Sequence, residues 1–118
     1  MKIFERCCLI TEHAVKCLEN VATVEVEDFQ QRLEAALSVF CAAQGRSGYI
    51  LRCFCMRLMH LGYRAHFAGD TVTPPINKGD ILVVLSGSGR TTCTLDFIGR
   101  AKESGGDTFG ILGTRHSP

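Results

Sequence analysis

Apolar residues recur at helical spacing through the first part of this chain, at Ile3, Cys7, Ile10, Ala14, Val15, Leu18 and Val21. Charges at Glu5, Glu12, Lys16 and Glu19 fall between them, so residues 2–22 are expected to form an amphipathic helix. The run Val24-Glu25-Val26-Glu27-Asp28 then sets acidic side chains ahead of Phe29, Leu33, Ala36 and Leu37, which fits a second helix with a negative first turn. Residues 36–43 are small and apolar, include Val39-Phe40-Cys41, and read as a buried strand.

Residues 48–61 fit a helix and residues 63–68 a short alternating strand. A loop follows at Gly69-Asp70-Thr71-Val72-Thr73-Pro74-Pro75, because each proline fixes its own φ and restricts the residue before it. Ile81-Leu82-Val83-Val84-Leu85 is apolar at every position, so both of its faces should be covered, as in a parallel sheet with helices on either side. Residues 91–104 make a helix with Leu95, Phe97, Ile98 and Ala101 inward, stopped by Gly105-Gly106, and residues 108–112 a fourth strand. The expected organisation is one α/β domain over residues 1–118, with N-terminal helices at 1–35 and a β-α-β-β-α-β core at 36–113.

Two turns in this pattern carry chemistry. Gly45-Arg46-Ser47-Gly48 and Ser86-Gly87-Ser88-Gly89-Arg90-Thr91 each follow an apolar run and precede a helical one. A strand that ends in such a turn aims hydroxyls and unpaired backbone N–H groups at one point, and the next helix presents its positive end there. Both turns would share one crevice if their strands are neighbours, since ligands of open parallel sheets sit at the carboxyl ends of the strands near a topological switch point. One phosphorylated ligand is the expected occupant. Neither turn matches G-x-x-x-x-G-K-[ST], and the first lacks the dinucleotide fingerprint, so nucleotide binding is disfavoured. A turn or helix cap is the alternative role for each serine.

Composition narrows the classes further. The chain has 118 residues, 46% hydrophobic, with a formal net charge of +1, which lacks the basic excess that non-specific nucleic-acid binding requires. Lys2, Glu5 and Arg6 interrupt any leader-like apolar stretch and no later segment could span a bilayer, so a cytoplasmic protein is expected. The seven cysteines, at 7, 8, 17, 41, 53, 55 and 93, are odd in number and form no C-x-x-C pair, so they read as reduced thiols. Cys53 and Cys55, two apart on a helix, point to different faces and make a poor joint metal site.

Four stretches taken in order resemble the 6-phospho-3-hexuloisomerases of the sugar isomerase (SIS) domain superfamily. They are Gly45-Arg46-Ser47-Gly48-Tyr49-Ile50, Met56-Arg57-Leu58-Met59-His60-Leu61-Gly62, Thr71-Val72-Thr73-Pro74, and Ile81 through Thr91. The resemblance covers residues 36–113. It implies a three-layer α/β/α sandwich around a five-stranded, mainly parallel sheet, and interconversion of 3-hexulose 6-phosphate and fructose 6-phosphate without metal or organic cofactor. It further implies a homotetramer, and a link to the hexulose-phosphate synthase of the ribulose monophosphate pathway of formaldehyde assimilation. Arg46, Ser47, Ser86, Gly87, Ser88, Gly89, Arg90 and Thr91 align with substrate-binding positions of that family.

Such an isomerisation moves a proton between adjacent carbons through an enediol, so it needs a base beside the carbon and a donor beside the oxygen. The candidate bases are His60, His66, His116, Asp70 and Glu103, with His60 the one carried forward as catalytic; capping of its helix is the alternative role. The chain departs from the family at Ala43, where a glycine is usual, and at Gln44. It also stops at Pro118, whereas the family continues through another strand, further helices and the glutamate thought to act as base. The expectation is therefore a shortened, weakly active or inactive isomerase domain. The competing readings are a sugar-phosphate-binding module without turnover and a scaffold assembled through the N-terminal helix.

Overall fold

The computed structural model describes residues 2–87 and 91–113. Its elements run α1 (Ile3–Glu19), α2 (Thr23–Ala35), β1 (Val39–Ala42), α3 (Gly45–His60), β2 (Ala65–Phe67), β3 (Ile81–Ser86), α4 (Thr92–Glu103) and β4 (Asp107–Leu112). The chain divides into two compact units, Met1–Gln31 and Arg32–Pro118.

In the first unit, the amphipathic pattern of residues 2–22 does produce a helix. The Glu5 carboxylate accepts the backbone N–H of Lys2 at 3.2 Å, placing negative charge at the positive end of α1, and Lys16 lies in its last turn. No residue of α1 is buried.

The second unit is built on a sheet of order β2-β1-β3-β4, with every described pair parallel. Side chains alternate across it, as strand geometry requires. Phe40, Ala42, Leu82 and Val84 turn to one face and pack with Ala101 of α4, flanked by Ala68, Ile76, Phe97 and Ile98. Val39, Cys41, Ile81 and Val83 turn to the other, where α3 buries Leu51, Cys55 and Leu58 at spacings of three and four. The Cys41 and Cys55 thiols are neighbours between β1 and α3. Helices thus cover both faces of the sheet, the three-layer α/β/α arrangement expected of the apolar run 81–85.

Two boundaries differ from the sequence pattern. The first strand is Val39–Ala42 rather than 36–43, because α2 continues to Ala35 and the Leu37 N–H is taken by the Gly79 carbonyl at 2.9 Å before the ladder begins. The helix expected from 48 begins at Gly45, so the first glycine turn is the opening turn of α3. Four strands are described where the family resemblance implied five. Arg32, at the end of α2, donates to Asp107 Oδ1 at 3.1 Å and stacks 5.9 Å from the Phe109 ring, tying its helix end to β4. Among the described residues no helix is long and apolar enough to cross a membrane.

Two consequences are measurable. Leu51 is 2% exposed between α3 and the sheet, so Leu51→Ala should lower unfolding stability by about 2–5 kcal/mol in urea titration, and a change within error would contradict this packing. Burial, then the neighbouring Cys55, push the Cys41 thiol up from an ordinary value of 9.0. A raised pKa means the folded state keeps a proton that the unfolded chain loses, so this contribution is fully present below pH 9.0 and lost as the pH rises above it. Cys41→Ala should therefore flatten the alkaline fall in melting stability, by up to about 1.4 kcal/mol per pH unit. An alkaline slope equal to that of the unmodified protein would contradict the buried-thiol account.

Candidate functional site

The sheet order creates the site. From β1 the chain crosses outward to β2, then returns to place β3 on β1's other side, with Ala42 opposite Val84. That reversal is a topological switch point, and neighbouring strands lie only ~4.8 Å apart. Both glycine turns leave its carboxyl end, as their sequence positions implied for adjacent strands.

The first turn is shaped by two glycines. Gly45 sits at φ 58°, a left-handed conformation that an L side chain rarely takes, and it bends the chain from β1 into α3. A Cβ at Gly48 would come within 3.1 Å of the Ala43 carbonyl oxygen, so the helix start passes close against the strand end. Gln44, the N-cap, makes no side-chain cap bond. The opening N–H groups of α3, on Gly45, Arg46 and Ser47, have no carbonyl of their own helix to meet. Arg46 is exposed and Ser47 half-buried beside them.

The second turn is more enclosed. Ser86 is 3% exposed at the end of β3, and its Oγ lies 3.1 Å from Oγ1 of Thr91, the N-cap of α4. Thr91 makes no side-chain cap bond to its own helix, although its carbonyl accepts the Leu95 N–H at 3.0 Å. One turn into α4, Thr94 is 3% exposed and its Oγ1 has no hydrogen-bond partner. The positive ends of α3 and α4 therefore stand side by side at the same sheet edge. A Cβ at Gly87 would meet nothing within 4 Å, which leaves open space over the backbone there. Ser88, Gly89 and Arg90 lie outside the described residues.

Gly113, which the sequence pattern did not single out, holds this turn from below. Its N–H donates to the Gly87 carbonyl at 3.1 Å and to that of Ser86 at 3.3 Å. A Cβ on Gly113 would sit 2.5 Å from the Gly87 oxygen, a backbone contact that cannot be relieved by a side-chain turn. The available signal was a glycine just past a predicted strand, which marks close backbone approach as readily as a turn.

The candidate bases are scattered. His60 is the last residue of α3, roughly 22 Å of helix away from Gly45. Because α3 starts at the carboxyl edge of the sheet and ends at the opposite one, His60 does not stand beside the two turns of its own chain. Glu103 ends α4 in the same way. His66 packs its ring 5.2 Å from that of Phe40. Asp70 does follow β2 at the carboxyl edge, but Arg52 grips it through two guanidinium nitrogens at 3.1 and 3.4 Å while stacking 4.0 Å over Phe67. His116 lies outside the described residues.

Burial also pushes the Cys55 thiol up, so with Cys41 it forms a protonated pair rather than a nucleophile. Cys53 is exposed and Cys55 buried, as their spacing on one helix implied. Among the described residues no three His, Cys, Asp or Glu side chains gather as a metal would need.

No protein-family model matches the chain. Its sequence is 42% identical over 88 residues to the 3-hexulose-6-phosphate isomerase of Methanocaldococcus jannaschii, a match covering 75% of this chain and 49% of that protein. It is 35% identical over 111 residues to the 3-hexulose-6-phosphate isomerase of Methylomonas aminofaciens, covering 91% of this chain and 61% of that one. A crystal structure of a hypothetical protein, 37% identical, superposes with a TM-score of 0.90 over 98% of this chain and 61% of its own. The chain thus spans between about half and three fifths of the length of these relatives. Within that span, sequence and fold agree in their similarity to the 3-hexulose-6-phosphate isomerases.

Proposed function

We propose that the chain is the phosphate-holding part of a 3-hexulose-6-phosphate isomerase, and that residues 1–118 form part of a single sugar isomerase domain. The observation that carries this reading is the half-buried Ser86–Thr91 hydroxyl pair at the positive end of α4, beside the opening turn of α3 on the neighbouring strand. A phosphate monoester needs several donors converging on three oxygens. Ser86 and Thr91, the backbone N–H groups of both turns, and the cation of Arg46 supply that set, with Ser47, Gly87, Ser88, Gly89 and Arg90 completing it. The unpartnered Thr94 hydroxyl is a further donor at the same helix end.

Anchoring the phosphate fixes the sugar's position and contributes orientation rather than proton transfer. The isomerisation itself removes the C2 proton of 3-hexulose 6-phosphate, passes through the enediol across C2 and C3, and returns a proton at C3. Its base and its oxygen donor need to stand at the sugar carbons, beyond the anchored phosphate. Asp70, a carboxylate at that sheet edge, is held by Arg52. The base is accordingly assigned to residues other than those described. The same observation supports a second reading, a sugar-phosphate-binding module without turnover.

Titration of the isotope-labelled chain with fructose 6-phosphate should shift amide resonances of both turns, whereas unphosphorylated fructose should not. Loss of one hydroxyl from a charged acceptor costs about 1.5–3 kcal/mol, so Ser86→Ala and Thr91→Val should each weaken binding by roughly tenfold or more. Equal affinity in the variants would remove this turn from the site. Gly113→Ala should weaken binding comparably while the far-UV spectrum is retained, because the added methyl pushes the Gly87 peptide out of place. In deuterated water, carbon-bound labelling of the sugar that survives His116→Ala would place a working base among the described residues and overturn this assignment.

A further inference from the structure

The return from β2 to β3 breaks the alternation of strand and helix. Parallel strands are usually joined through a helix, as β1 and β2 are by α3 and β3 and β4 by α4, but residues 68–80 carry none. On the face where α4 packs, the strip of β1 beside it is therefore roofed by a loop alone. Between that loop and α4 lies a cavity of about 680 Å³, a size typical of small-molecule sites. It shares no residue with the two glycine turns.

The loop that walls this cavity is held in place. Thr73 Oγ1 donates to the Phe67 carbonyl at 2.7 Å and the Asn77 N–H donates to Asp80 Oδ2 at 2.8 Å, while Pro74 and Pro75 stiffen the span between them. Phe40, Ile76, Leu82 and Phe97 make the walls apolar. A Cβ at Gly69 would stand 3.9 Å from the Phe97 ring, so the cavity narrows towards the carboxyl edge of the sheet. At its other end, one turn apart on α4, are Arg100 and Glu103.

These two side chains select the occupant. They carry opposite charges, and residues three apart on a helix are neighbours. Asp96 engages Arg100 through Nη2 at 3.1 Å, which leaves other donors of the guanidinium for a second carboxylate. Among the described residues Glu103 has no ion-pair partner, and it stands at the helix end whose dipole favours a cation. A ligand with an anionic head alone would face Glu103, and one with a cationic head alone would face Arg100. A zwitterion satisfies both, and the walls require an apolar body attached to it.

We propose that this cavity binds a free α-amino acid with a large apolar side chain, its carboxylate on Arg100, its ammonium on Glu103 and its side chain between Phe40 and Phe97. Glu103 is roughly 18 Å of helix from Thr91, so the amino acid and a sugar phosphate bind without competing. The cavity's role does not depend on what the two turns hold.

L-Phenylalanine titrated into the isotope-labelled chain should saturably shift the amides of Thr73, Ile76 and Phe97 through Ser104 at millimolar concentration, and glycine should not. Arg100 and Glu103 are exposed, so Arg100→Gln and Glu103→Gln should leave the melting temperature nearly unchanged and each weaken phenylalanine binding by roughly fivefold. N-acetylphenylalanine, which lacks the ammonium, should bind less well than phenylalanine and should not be weakened further by Glu103→Gln. Phenethylamine, which lacks the carboxylate, should likewise not be weakened by Arg100→Gln. Saturating fructose 6-phosphate should leave the phenylalanine shifts in place. No saturable shift at these amides would overturn the proposal. So would unchanged affinity in both variants, binding of phenethylamine or N-acetylphenylalanine as tight as that of phenylalanine, which reports a site for one charge alone, or displacement by fructose 6-phosphate, which places the amino acid on the turns.

Discussion

β3 is paired with β1 on one side and β4 on the other, and its residues from Ile81 to Val84 are buried on both faces. A strand so enclosed cannot satisfy its backbone groups with water, so its ladders must be complete and its side chains apolar throughout. Both layers of helix rest against it, α3 through the face of Val83 and α4 through that of Val84. The pairing of β3 with β1 also decides where the chain reverses direction across the sheet. The two glycine turns meet because of that pairing, and had β2 come between these strands they would stand apart.

Around this reversal the backbone passes backbone at two points, and glycine occupies both. Gly48 lets the start of α3 close on the Ala43 carbonyl, and Gly113 lets the end of β4 close on Gly87. These contacts fix two helix starts and a half-buried hydroxyl pair relative to one another, which is the preorganisation an anion site needs, since donors that must first be ordered bind less well. The same edge holds no unengaged base among the described residues. Arg52 and Asp70, half-exposed, are worth at most about 1 kcal/mol as an ion pair, so their effect is to hold the loop after β2 against α3 rather than to stabilise the fold.

The two units contrast in how far their amphipathic patterns are satisfied. In the second, Leu51, Cys55 and Leu58 on α3 and Ala101 on α4 lie against the sheet. In the first, an equally regular stripe on α1 stays exposed. Periodicity states that a face requires cover but carries no information about the length of chain, or the copy of it, that provides the cover.

Helical and strand spacing, the apolar run at 81–85, and the glycine turns were all legible along the chain, because each reflects preferences of neighbouring residues for local geometry. From them followed the element types and order, the covered sheet, and the two turns with Arg46, Ser47, Ser86 and Thr91. Tertiary structure alone decided that β1 and β3 are neighbours, that α3 starts at Gly45, and that His60 lies at the far end of its helix from the turns. It alone brought Gly113 beneath Gly87 and Arg52 onto Asp70. These are contacts between segments far apart in sequence, set by how strands pair and how layers pack, and no spacing within one segment encodes them.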